Sequence, residues 1–336
     1  MDVQSDVLFL FPGNGKLQFD VNFIYLNGNQ RWRFFDFGAY KRLDRIIREG
    51  NYDLVQANAS DTLKYSVFSK LLFHWKVPLV YRNAAKMGDF LIGAFHRAFM
   101  KFLLKNCDLV ISVSESCRRD VLRIIDPNPM RTITITIGTD TAAYIPTVKL
   151  EAHIPKESPI FINVGSFVPE KNHLFLLRVF KEFIQHYGKG TLWLVGDGKL
   201  KRRIKHEINL LNLNHCIHLF GYLESVMPVL NRADVMVMPS LIEGLPGVIL
   251  EGMSCGKPVI ASSAGGISEI IKNGVTGFCL PEFTTGEYVL AMEKLANDIN
   301  LRKRISNNGR AIVNKNFDNS VIAARFYEAY QQLIYD

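Results

Sequence analysis

Apolar residues in this chain cluster in short runs that alternate with longer amphipathic stretches. The runs at 7–11, 21–26, 53–57, 78–81, 108–113 and 132–137 read as strands. The stretches at 40–49, 63–73, 90–106 and 116–125 read as helices; in the first, Leu43, Ile46 and Ile47 share one side. The alternation continues with strands at 160–164, 191–195, 217–220, 235–238 and 258–261 and helices at 173–187, 199–211 and 248–255. A last amphipathic stretch covers 320–334. Strand and helix in turn predict an α/β protein with doubly wound parallel sheets. The polar segment 146–158, with Pro146 and Pro155, reads as a linker and predicts domains at 1–150 and 151–316, followed by a terminal segment 317–336.

The stretch 231–278 carries the most chemistry. Between its two strands lies a loop broken by Gly and Pro, from Ser240 to Gly247, that opens into the helix at 248–255 and is closed by Gly256. Glu243 lies in the loop and Glu251 in the helix. A helix N-terminus offers unpaired N–H groups and partial positive charge to a phosphate. In an open α/β sheet such a loop lies beyond the carboxyl end of a strand, where ligands bind. A carboxylate is repelled by phosphate but accepts hydrogen bonds from sugar hydroxyls. Two carboxylates flanking a phosphate-binding helix end therefore suit a ligand with a hydroxyl-rich group on each side of a diphosphate, and a nucleotide sugar is such a ligand.

Composition narrows the class. A chain of 336 residues exceeds one ordinary core, and 48% apolar content fits a packed globular protein. The five cysteines are scattered and match no metal spacing, which predicts buried thiols and a reducing compartment. The formal charge of +8 suits an anionic donor or an anionic membrane surface. No nucleic-acid motif accompanies it. No metal site is expected, because no Asp-x-Asp lies at a strand end.

The string Glu243-x7-Glu251 with GLPGVIL between, then GKPVIAS at 256–262, Gly265-Gly266, Glu269 and NGVTG at 273–277, resembles the C-terminal half of the family 4 retaining glycosyltransferases. The resemblance implies the GT-B fold, two Rossmann-like domains facing across a cleft. It implies a hexosyltransferase that uses a UDP- or GDP-sugar, with no cofactor beyond that donor, and a glycan or polyprenyl-diphosphate-linked acceptor in surface polysaccharide biosynthesis. The expected location is cytoplasmic, on the inner face of the membrane. Family members begin with a strand, a glycine-rich loop and a helix, a unit that this sequence lacks before its run at 7–11, so the expectation is either a start codon placed too late or a truncated N-terminal domain. The terminal helix is expected to return to the N-terminal domain.

The resemblance also assigns roles. Glu243 would hold sugar hydroxyls. Gly244, Leu245, Pro246, Gly247 and Val248 would offer backbone to sugar and phosphates, and Glu251 would bind ribose. Gly165-Ser166 through Lys171-Asn172 is similar to the family's G-R-x-x-x-x-K-N clamp, with Lys171 set to balance charge on the departing diphosphate and Ser166 where arginine is usual. Gly196-Asp197-Gly198 reads as a turn where backbone approaches the nucleotide, and Tyr222-Leu223 as a nucleobase contact or, for Tyr222, packing. Arg82, placed past a strand end, reads either as a bidentate anion contact or as a surface arginine. Pro12-Gly13-Asn14-Gly15-Lys16 reads as a turn rather than a phosphate loop, since a strand follows it. The segment at 90–105, with His96, Arg97, Lys101 and Lys105, reads as a membrane-surface helix or as a Rossmann helix with a solvated basic face. Two rival functions stay open, a nucleotide-sugar epimerase on the same fold and a non-catalytic nucleotide-sugar-binding subunit.

Overall fold

In the second half of the chain the continuous apolar runs become strands buried on both faces, which is where a parallel sheet puts them. The computed structural model describes residues 3–12, 21–31, 35–125, 131–142, 154, 157–281 and 283–335. The turn read at Gly13 to Lys16 and most of the linker, Pro146 and Pro155 included, lie outside the described residues. The chain divides into one unit of 1–112, 118–134 and 327–336 and another of 113–117 and 135–326.

The first unit holds two parallel sheets. In one, β1 (Asp6–Phe9) pairs with β2 (Asn22–Tyr25). The other has the order β3 (Val55–Ala57), β4 (Leu79–Asn83), β5 (Leu109–Ser112) and β6 (Arg131–Thr134). The helices are α1 (Phe37–Glu49), α2 (Ser60–Phe73), α3 (Gly93–Lys105) and, from Arg118 on, α4 (Glu115–Ile125), whose first three residues belong to the other unit. Asp36 caps α1, its carboxylate accepting from Ala39 N–H at 3.1 Å, and α1 buries Ala39, Tyr40, Leu43 and Ile47. Two expectations shift. The helix read from residue 90 begins at Gly93, because Met87–Phe90 forms a separate 3-10 turn and Gly93 has φ +79°. The strand read as 78–81 runs to Asn83, so Arg82 lies inside β4, paired in register with Ile111, and not beyond its end.

The second unit is built on one six-stranded parallel sheet. Its strands are β7 (Ile160–Val164), β8 (Thr191–Val195), β9 (Ile217–Gly221), β10 (Val235–Met238), β11 (Val259–Ser262) and β12 (Gly277–Leu280), in the order β12-β11-β10-β7-β8-β9. From β7 the chain winds outward one way through β8 and β9, then returns to the other side at β10. Loops leaving β7 and β10 therefore diverge above a topological switch point, where open α/β sheets bind ligands. The helices are α5 (His173–Tyr187), α6 (Lys201–Leu210), α7 (Met227–Arg232), α8 (Gly247–Ser254), α9 (Ile267–Ile270), α10 (Thr285–Asn297) and α11 (Ile299–Asn316), followed by α12 (Asn319–Tyr335), of which 327–335 belong to the first unit. Helices α5 to α11 cover the sheet with two apolar layers. One contains Trp193, Met236, Ile249 and Leu250, and the other Phe161, Phe180, Phe183 and Tyr288. The five cysteines are free and buried.

Candidate functional site

The switch point brings together two segments far apart in sequence. β7 and β10 run side by side in parallel, with Val235 beside Phe161 and Met236 beside Ile162. The loop after β7 carries Lys171 and the loop after β10 carries Glu243. Their side chains meet as an ion pair, Nζ to Oε1 at 2.5 Å, although 72 positions separate them. Glu243 is 9% exposed, so its charge is compensated mainly by this ammonium. Leu241 N–H donates to the Glu170 carbonyl at 2.7 Å and ties the two loops at a second point. The Lys171 stem packs over Gly165, where a Cβ would stand in ordinary contact, 3.6 Å from Lys171 Cγ and Cδ. Ser166 is exposed beside it.

Gly244, Leu245 and Pro246 are buried and lead into α8, while Gly247 and Val248 are half-buried at its first turn. Pro246 stands at the N-cap position and no side chain caps this helix end, which leaves first-turn N–H groups for an anion. Glu251 follows one turn later, its carboxylate with no hydrogen-bond donor among the described residues. Burial pushes its pKa up from the usual carboxylate range.

That burial has a sign. A carboxyl that holds its proton more tightly when folded favours the folded state at low pH, and the advantage is lost as pH rises from its unfolded pKa through its raised folded pKa. At neutral pH the ionised Glu251 is therefore a liability to stability. Glu251→Gln is expected to raise the thermal midpoint at pH 7, with the gain shrinking toward pH 4, while it weakens nucleotide binding. Thermal melts across that range together with calorimetric titration of nucleotide check both halves.

The loop is held from behind by the glycine pair. Gly266 N–H donates to the Gly244 carbonyl at 2.6 Å. Gly265 has φ +59°, and a Cβ on it would stand 2.0 Å from the Glu243 carbonyl oxygen. A Cβ on Gly266 would meet Ser114 Cβ at 2.5 Å. At Gly265 only glycine fits, for space and for backbone conformation alike; at Gly266 the demand is for space. Gly265→Ala must displace the backbone of Glu243, so a stability loss of about 1–3 kcal/mol and at least a tenfold fall in turnover are expected, checked by urea unfolding and steady-state rates.

Other residues show contacts that the sequence does not specify. The Gly196 and Gly198 turn lies against protein backbone: Cβ atoms there would come within 2.1 Å of the Gly165 carbonyl and 2.7 Å of the Phe167 carbonyl. Those glycines let the β8 turn seat the β7 loop, and Phe167 N–H donates to the Asp197 carbonyl at 2.9 Å. Tyr222 is 77% exposed, which rules out a packing role, and Leu223 packs against the core. Arg82 belongs to the first unit; burial lowers its pKa and the nearby Tyr330 offsets part of that. Among the described residues no cluster of three or more His, Cys, Asp or Glu is arranged to hold a metal.

Two side chains near the clamp had no assigned role from sequence. His173 opens α5, fully buried, its ring edge-on to Phe167 at 4.8 Å. Neither ring nitrogen has a partner among the described residues, and burial, with Lys171 nearby, lowers its pKa to about 4, so it is neutral at pH 7. Glu269 accepts from the N–H groups of Glu115 at 2.9 Å and Ser116 at 2.8 Å, both in the 113–117 segment of the same unit. Glu269 was visible as part of a sequence string, but its partners lie about 150 positions away and no local pattern encodes them.

Solved structures with the same architecture include a sucrose-phosphate synthase from Thermosynechococcus elongatus, with TM-score 0.83, 21% identity and coverage of 98% of this chain and 88% of that one. HepE from Anabaena, solved in complex with UDP, aligns with TM-score 0.79 and 20% identity over 93% of this chain and 86% of that one. These likenesses identify the fold as GT-B. Among curated relatives, an uncharacterized glycosyltransferase of Methanocaldococcus jannaschii is 28% identical over 88% of this chain and 80% of its own length. A UDP-Gal:alpha-D-GlcNAc-diphosphoundecaprenol alpha-1,3-galactosyltransferase of Escherichia coli is 24% identical over 88% and 85%. The family model for Glycosyltransferase Family 4 matches residues 4–142 and that for Glycosyl transferases group 1 matches 147–312. With its two halves matched in turn by these models, the chain belongs to the family 4, group 1 glycosyltransferases.

Proposed function

We propose that this glycosyltransferase moves a hexose from a UDP- or GDP-sugar to a glycan or polyprenyl-diphosphate-linked hydroxyl, with retention at the anomeric carbon, in the synthesis of a surface polysaccharide at the cytoplasmic face of the membrane. The observation that carries this reading is the Lys171–Glu243 pair beside the uncapped start of α8. It sets one cation and one carboxylate where a sugar diphosphate needs both. Lys171 stabilises negative charge that grows on the departing diphosphate, and the N–H groups at Gly247 and Val248 share that charge. Glu243 accepts hydrogen bonds from hexose hydroxyls, and Glu251 does the same for ribose. Retention follows if the leaving phosphate takes the acceptor's proton on the face it has left, which asks for no protein base.

The relatives support the donor and acceptor classes in this reading. The Escherichia coli relative is named for a UDP-galactose donor and a diphosphoundecaprenol-linked acceptor, and HepE from Anabaena was solved with UDP-glucose. The test is to offer the full chain a panel of UDP- and GDP-hexoses with lipid-diphosphate and soluble glycan acceptors, and to follow release of nucleoside diphosphate and the anomeric configuration of the product. Acceptor-dependent release with an axial-to-axial outcome supports the proposal. An inverted product, or a donor altered without transfer, overturns it.

A further inference from the structure

We propose that the start of α3 and the turn before it form a docking surface for an anionic lipid bilayer. Residues 92–98 are exposed without a break, so the first two turns of α3 stand clear of the core on all sides. Exposure of that kind belongs to a polar segment, yet Ile92 is 88% and Phe95 87% exposed, and Phe90 and Phe102 are exposed with them. Phe95, Phe99 and Phe102 recur at the spacing of one helix stripe, and Ile92 stands in extended backbone just before the helix. The stripe continues onto α2 through the stacked rings of Phe68 and Phe99, centroids 6.2 Å apart, and Leu71 and Leu72 are exposed one turn beyond Phe68. Other positions of α3, such as Met100, Leu103 and Leu104, are buried, so this apolar stripe is additional to what the fold consumes.

Charge identifies the occupant. Helix α3 carries His96, Arg97, Lys101 and Lys105 and no carboxylate; between Lys86 and Lys105 the single acid is Asp89. Protruding apolar side chains with cations on the same short helix match an interfacial segment, whose apolar atoms enter the acyl boundary while Lys and Arg reach anionic headgroups. A protein partner would instead favour a broad apolar patch of low curvature with a polar rim. No helix among the described residues is long and apolar enough to cross a membrane, so this contact lies on the bilayer and does not span it. It is independent of the donor chemistry, since vesicle binding and sugar transfer are measured separately.

The experiment is flotation of the full chain with phosphatidylcholine vesicles, with or without about a third phosphatidylglycerol. Wild type is expected to float with the anionic vesicles at low salt and to stay behind with the neutral ones. I92S/F95S and R97E/K105E are each expected to lower the partition at least tenfold with unchanged thermal midpoints. Leu290→Ser, which removes a Leu 66% exposed on α10, is expected to leave it unchanged. Absence of binding by wild type, or equal binding by I92S/F95S, overturns the proposal. Sedimentation velocity is run alongside: a wild-type dimer that I92S/F95S dissolves, with vesicle binding unaffected, would assign the surface to a second copy instead.

Discussion

Lys171→Ala is expected to lower kcat about a hundred-fold or more, the usual effect of removing one preorganised charge from a developing anion. Its ammonium is the cation fixed beside Glu243 at the switch point. The same change has a second consequence, because it leaves Glu243, 9% exposed, without its 2.5 Å partner. Stability should therefore fall together with rate. The two effects separate in the double variant Lys171→Ala/Glu243→Gln, where the buried charge is gone. The thermal midpoint should recover toward wild type while turnover stays low. Recovery of turnover along with stability would mean that Lys171 serves the fold and not the leaving group.

Glu243→Ala is expected to cost a comparable hundred-fold or more in kcat/KM. Here the loss should depend on the sugar. A group that accepts from hexose hydroxyls matters for the intact donor and little for the nucleoside diphosphate alone. Affinity for UDP or GDP should change by less than a few fold, while kcat/KM for the matching nucleotide sugar collapses. Steady-state rates with the sugar and titrations with the diphosphate read the two quantities. Equal losses in both would place the carboxylate's role at the diphosphate or in the fold.

Much of the second unit could be read from sequence because its local signals agree with one another. Residues 160–164, 173–187 and 191–195 became β7, α5 and β8 at those bounds, since short runs rich in β-branched, leucine and aromatic residues flank an amphipathic stretch that Gly188 terminates at φ +85°. Pro246 and Gly247 marked the start of α8 for the reason such residues do elsewhere: fixed φ and a missing donor cost nothing at a helix entry. What could not be read was tertiary. The Lys171–Glu243 pair depends on β7 and β10 lying side by side, a property of strand order and not of either loop. The packing demand on the glycines at 196 and 198 was equally hidden, because it comes from the carbonyls of Gly165 and Phe167 in a neighbouring loop. Helix α3 was read as starting too early because Phe90, Leu91 and Ile92 extend its apolar pattern, although Gly93 interrupts the backbone. Arg82 was read beyond β4 because a polar residue after an apolar run resembles a strand end, whereas the hydrogen-bonded register with β5 continues to Asn83.

In the proposed function the uncapped start of α8, with Glu243 before it and Glu251 one turn into it, holds a nucleotide diphosphate sugar. Calorimetric titration of UDP- and GDP-hexoses into the full chain and into Glu251→Ala tests it most directly. Saturable binding of at least one of these donors by the wild type and a loss of tenfold or more in the variant are expected. No binding of any such donor by the folded wild type, or undiminished binding by the variant, would contradict it.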